Sequence, residues 1–111
     1  MNASDIQELT VARLQDAVTA MMTFEWHKKI AKLPKAERRK AKLLLVDCQE
    51  ARLALENAQL GNIRNKLKKH DAALATGRDD LKRALKKLNK VKDVLNAVNA
   101  VVSIVSKIVT L

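Results

Sequence analysis

Apolar residues recur along this chain at three- and four-residue intervals, the spacing that lays a single stripe down a helix. The first stripe is Val11, Leu14, Val18, Met22, Trp26, Ile30 and Leu33. Ahead of it, Ser4-Asp5-Ile6-Gln7 has the form of a capping box and places a helix start at Ser4. Pro34 then interrupts the stripe. Proline is accommodated in a first turn but not in an interior, so a second helix is expected from about Lys35.

The strongest pattern follows. Leu53, Leu60, Leu67, Leu74, Leu81, Leu88 and Leu95 are spaced by seven without exception, and Val102 and Val109 extend the series. Three residues after each, from Leu60 onward, come Ile63, His70, Gly77, Ala84, Val91, Val98 and Val105. This is a heptad, with leucine at one seam position and mixed residues at the other, and it predicts an all-α chain with coiled-coil character. Gly77 before Arg78-Asp79-Asp80 reads as a glycine stop followed by an aspartate cap, so a turn is expected at residues 76–79. Gly61-Asn62 is a second candidate break. The expected layout is a single helical domain with helices at about 4–32, 35–76 and 79–110. They would pack as a three-helix antiparallel bundle, with a long helical hairpin as the alternative.

Composition narrows the class further. Phe24 and Trp26 are the only aromatic residues, tyrosine is absent, and the chain has 2 glycines and 1 proline. A β-sandwich or barrel needs turn residues and aromatic or β-branched strands throughout, and neither is supplied. The lone Cys48 forbids an internal disulfide and suits a reducing, cytoplasmic setting. Asp5 and Glu8 stand where a signal peptide would carry a basic start and an apolar core.

Charge is distributed unevenly. The chain carries 22 Lys and Arg against 12 Asp and Glu. Residues 1–34 are neutral overall, residues 60–93 hold eleven bases against four acids, and residues 94–111 hold only Lys107. On the expected third helix Lys82, Arg83, Lys86, Lys87, Lys90 and Lys92 form a basic face. Beyond Asp93 a second apolar row (Val94, Val101, Ile108) and a third (Ala97, Ile104, Leu111) join the seam. A helix apolar on so many sides must be buried on several, as a bundle strut or between chains. Entry into a membrane is the sharper alternative, since 18 residues span about 27 Å against about 30 Å of bilayer hydrocarbon. Asn96, Asn99, Ser103, Ser106, Lys107 and Thr110 oppose a stable span.

Chemistry is sparse. His27 and His70 are not at metal-ligand spacing, no Gly-rich phosphate loop is present, and Asp79-Asp80 fits a helix cap better than a catalytic pair. No catalytic residue, metal or cofactor is expected, and Cys48 reads as a small buried hydrophobe. Met21, Met22, Phe24 and Trp26 gather where the first helix ends, as core or as an exposed patch. The leading expectation is a non-enzymatic interaction protein that self-associates or docks on a partner helix. Its seam would comprise Leu60, Ile63, Leu67, Leu74, Leu81, Leu88, Val91, Leu95, Val98, Val102 and Val105, completed by Val94, Val101, Ile104 and Ile108. A protein partner or second copy comes first, an anionic membrane met by the basic helix and residues 94–111 second, and nucleic acid third. For nucleic acid, the lysines lack the interleaved aromatics that stack on bases.

Overall fold

The computed structural model describes residues 1–110. Among these the chain forms six helices and no strand: α1 (Ala3–Met21), α2 (Phe24–Ala31), α3 (Lys35–Asn57), α4 (Leu60–Lys69), α5 (Asp71–Leu85) and α6 (Val91–Val105). The chain is all-helical, as its periodicity predicts. Its helix boundaries differ from the three-helix layout, each for a local reason.

Asn2, two residues ahead of the expected Ser4, caps α1 by accepting the Asp5 N–H at 2.9 Å. The helix expected over 4–32 is two helices, because Thr23 ends one and begins the next. Its hydroxyl donates to the Ala20 carbonyl at 2.8 Å and accepts the Trp26 N–H at 3.2 Å. Such a cap contributes about 1 kcal/mol. α3 begins directly behind Pro34, whose backbone is extended.

The helix expected over 35–76 is cut twice. At its first break Ala58 and Gln59 turn extended, with ψ of 137° and 124°. The last carbonyls of α3 are not left open there. Gln7 of α1 donates through Nε2 to Leu55 O at 2.8 Å and Ala58 O at 3.1 Å, satisfying groups a helix end exposes. The second break is a one-residue kink at His70.

The turn expected at residues 76–79 is absent, and α5 runs through it. A Cβ added at Gly77 would stand 3.1 Å from Val101 Cγ2 on α6. Glycine therefore lets two helices approach closely here and does not terminate one. The chain turns instead at residues 86–90, where Lys86, Lys87 and Lys90 crowd like charges around Asn89, a turn-favouring residue. Lys90 N–H closes this turn on Lys87 O at 3.0 Å. The third expected helix, about 79–110, is accordingly the second half of α5, this turn, and α6.

α1 lies against α3 and α5, and α6 lies against the same two, so the four longest helices form a ring. α1 and α3 are antiparallel: Gln7 meets Leu55, Cys48 Sγ reaches Leu14 O, and Met21 shares a hollow with Ala41. α5 and α6 are antiparallel too, with Gly77 against Val101 and Ala84 facing Asp93 and Ala97 across a groove. Lys68 shares a crevice with Asn2, Ala3 and Ser4, and ten residues later Arg78 reaches Thr10. α5 therefore climbs in the same direction as α1. Two corners consequently sit at one end of the ring: α1–α2–α3 and α5–α6.

Inside the ring the wholly buried side chains include Ile6, Leu14 and Met21 of α1, Trp26 of α2, Leu55 of α3, and Leu74 and Leu81 of α5. α3 contributes mostly small ones, Ala41, Cys48 and Ala51, which let α1 pack close.

Candidate functional site

The heptad seam is core. Ile63, Leu67, Leu74, Leu81, Val98, Val102 and Val105 are buried within the chain, and so are Val94, Val101 and Ile108. Leu60, Leu88, Val91, Leu95 and Ile104 are half-buried and pack against that core. The register thus runs across α4, α5 and α6 in turn, and the breaks at His70 and at residues 86–90 fold it back into one interior. Leu53, the first leucine of the series, is 46% exposed on the outside of α3.

Residues 94–110 do not form an all-apolar rod. Lys92, Asn96, Asn99, Ser103 and Ser106 line the outward side of α6, while the valines face in. Among the described residues no helix is long and apolar enough to cross a membrane. Leu111, the end of the third apolar row, lies outside the described residues.

The basic face is exposed in full: Lys82, Arg83, Lys86, Lys87, Lys90 and Lys92 all meet solvent. Arg83, Lys86, Lys87 and Lys90 line an open groove of about 570 Å³ between α5 and α6. Two acids share it, Asp93 and Asp80, the latter paired with Arg83. Three lysines there have no carboxylate partner among the described residues.

A second basic segment stands at the other corner of the same end. Lys28, Lys29, Lys32, Lys35, Arg38, Arg39, Lys40 and Lys42 fall within residues 24–42, opposed only by Glu25 and Glu37. Residues 82–93 hold six bases and one acid. The remaining residues hold eight bases and nine acids, and one of those acids is Asp80 in the same groove. The whole positive excess of the chain is therefore gathered at one end of the bundle. None of these fourteen cations is buried, and eleven of them are lysine.

Apolar side chains are exposed in the same region. Met21 and Trp26 point into the core, whereas Met22 and Phe24 between them are 59% and 78% exposed. Lys28, one turn after Phe24, places its ammonium 5.6 Å from the ring centroid, a cation–π contact. Behind them a hollow of about 180 Å³ is floored by Trp26 and Met21 and rimmed by His27, Arg38 and Lys42. Leu43 and Val46 are also exposed, on the outer side of α3.

Groups with reactive potential are placed structurally. Burial pushes the Cys48 thiol up to about 12, a shift that the nearby Arg52 charge opposes. The thiol donates to Leu14 O at 3.7 Å. His27 contacts Thr23 O through Nδ1 at 2.8 Å, within its own helical turn, and His70 forms the α4–α5 kink. Among the described residues no three His, Cys, Asp or Glu side chains cluster as a metal site would.

No family model matches the chain, and no curated protein or solved structure is significantly similar to it. Its function is therefore argued from its surface. The sequence marks both the basic face of residues 82–92 and a basic run at residues 35–42, but does not show that the fold brings them, with Lys28, Lys29 and Lys32, to one end. The density of cations on either side of Pro34 was the available signal.

Proposed function

We propose that this chain is a non-enzymatic helical interaction protein that recognises a polyanionic partner with the basic end of its bundle. The observation that supports this reading most is the charge separation: fourteen cations against four acids (Glu25, Glu37, Asp80 and Asp93) at one end, and a remainder without net charge. Clustered cations raise the local concentration of an anionic partner and speed its capture. At physiological salt each acts over a screening length of about 8 Å, so spacing along one surface matters more than net charge. In this reading the heptad seam is the bundle's own interior and contributes stability, while the exposed lysines contribute recognition.

Retention on immobilised heparin across a salt gradient tests the reading. Two triple variants remove the same net charge. Lys86→Gln/Lys87→Gln/Lys90→Gln lies in the basic end, and Arg64→Gln/Lys66→Gln/Lys68→Gln lies on α4, which sits beside the α1 N-terminus. The first variant should elute at clearly lower salt than wild type and the second close to it. Equal losses would mean that net charge alone drives retention, and the localised site would be abandoned.

A further inference from the structure

We infer that the polyanion met by this end is the surface of an anionic lipid bilayer, entered by Phe24 and Met22. The inference rests on the polyanion reading and adds to it the one feature that charge does not explain. Phe24 is 78% exposed and Met22 59%, at the elbow between α1 and α2, although core-facing positions on both sides are filled by Met21 and Trp26. Scattered exposed hydrophobes are ordinary on soluble proteins. Here two of the most exposed ones project beside a segment that carries eight cations within residues 24–42.

Their arrangement suits an interface with lipid. Phe24, Lys28 and Lys32 follow at four-residue spacing, so the ring and two ammonium groups lie along one side of α2 and its C-cap. A Lys stem can lie along acyl chains while its ammonium remains among headgroups, and an aromatic ring at the same level supplies buried area. Eleven of the fourteen cations are lysine, whose ammonium groups meet headgroup phosphates and carboxylates as compact point charges. A duplex offers phosphates equally well. It gives a bare phenyl ring no apolar medium unless base pairs are unstacked, so the apolar tip favours lipid. The binding mode is peripheral, and the buried valines of α6 take no part in it.

Co-sedimentation of the full chain tests this, using phosphatidylcholine vesicles with and without about a third phosphatidylserine. Binding is expected to the serine-containing vesicles alone and should fall about fivefold for each lysine of the basic end neutralised. Met22→Ser/Phe24→Ser should lower vesicle affinity by about tenfold. Its heparin retention and helical circular dichroism should match wild type, because both side chains stand outside the core. Leu53→Ser, also exposed but on the far half of α3, should bind vesicles as wild type does. Undiminished vesicle binding by Met22→Ser/Phe24→Ser would overturn insertion. Retention on heparin and on a random DNA duplex without vesicle binding would overturn the lipid assignment and leave the polyanion reading standing. Failure to bind heparin, duplex and vesicles alike would end both.

Discussion

The guanidinium of Arg78 donates to the hydroxyl of Thr10 at 3.1 Å, joining α5 to α1 across 68 residues of sequence. Thr10 passes the interaction on by donating to Ile6 O at 2.7 Å. Thr10 is fully buried and Arg78 only 8% exposed, so among the described residues these are the two polar side chains that are buried as a whole. A buried cation is tolerated when its donors find acceptors and becomes costly when one is withdrawn. Thr10→Val keeps the shape and removes the acceptor, and should cost about 1–3 kcal/mol. Arg78→Met removes the donor and keeps most of the aliphatic length. The double variant should lose less than the two single losses summed, because the second change removes a group already unpaired. Urea unfolding of the four proteins measures the coupling, and strict additivity would show that the bond is incidental.

The two glycines should respond differently to an added methyl group. Gly61 has nothing within 4 Å of an added Cβ, so Gly61→Ala gains helix propensity without steric cost, up to about 1 kcal/mol. At Gly77 the same gain is set against Val101 Cγ2 at 3.1 Å, which must move by a few tenths of an ångström. Gly77→Ala is expected near neutrality, and Gly77→Val to destabilise by about 1–3 kcal/mol through overpacking. Thermal melts resolve these differences, since 1 kcal/mol shifts the midpoint of a chain this size by roughly 4–8 °C. A Gly77→Val protein as stable as wild type would contradict the close approach of α5 and α6.

Gly77 also shows what could and could not be read from the sequence. Leu53 is exposed and Leu88 falls in the turn between α5 and α6, but from Leu60 onward the in-phase leucines signal packing against the core correctly, because periodicity reports which face leaves water. They do not report whether that face is covered by another chain or by this one. That depends on where the helix bends, and the bends are set by features with weak local signatures. Thr23 is one polar residue between Met22 and Phe24, yet its hydroxyl serves two helix ends. The end of α3 is satisfied by Gln7, some fifty residues earlier in the chain. A glycine followed by aspartates looks like a stop whether or not a neighbouring helix needs the space. The basic end was half visible for a related reason. Lys28, Lys29 and Lys32 are balanced by acids of α1 when charge is summed up to Pro34, and only the fold separates the two groups.

Cys48 should be silent toward thiol reagents at pH 8 in the folded protein and react at the rate of unfolding. Burial raises its pKa to about 12, whereas the unfolded thiol titrates near 9.0. The sign of the pH effect follows. Above about pH 9 the unfolded chain releases a proton that the folded chain still holds, so unfolding gains as pH rises. Between about pH 9 and 12 wild type should therefore lose stability relative to Cys48→Ala, with a slope approaching 1.4 kcal/mol per pH unit. Below pH 9 the difference between the two proteins should be flat. Urea midpoints at pH 7, 9 and 10.5 test this, and a difference that does not change with pH would mean that the thiol is accessible to water.

The seam leucines give the most direct test of where the heptad is spent. Leu74 and Leu81 are completely buried, one helical heptad apart on α5, and both face the ring interior. If the core of a single chain consumes them, Leu74→Ala and Leu81→Ala should each cost about 2–5 kcal/mol, the lost transfer energy plus the cavity left behind. The unfolding midpoint should also be the same at protein concentrations about tenfold apart, since nothing in the transition is bimolecular. An oligomer held together by the seam behaves differently on both counts. Its midpoint rises with concentration by mass action, and truncating a seam leucine changes the molecular mass seen by light scattering before it changes helix content. A concentration-independent midpoint combined with large alanine losses would assign the leucines to the monomer's interior. Recognition would then fall to the lysines and the exposed phenyl ring at the basic end.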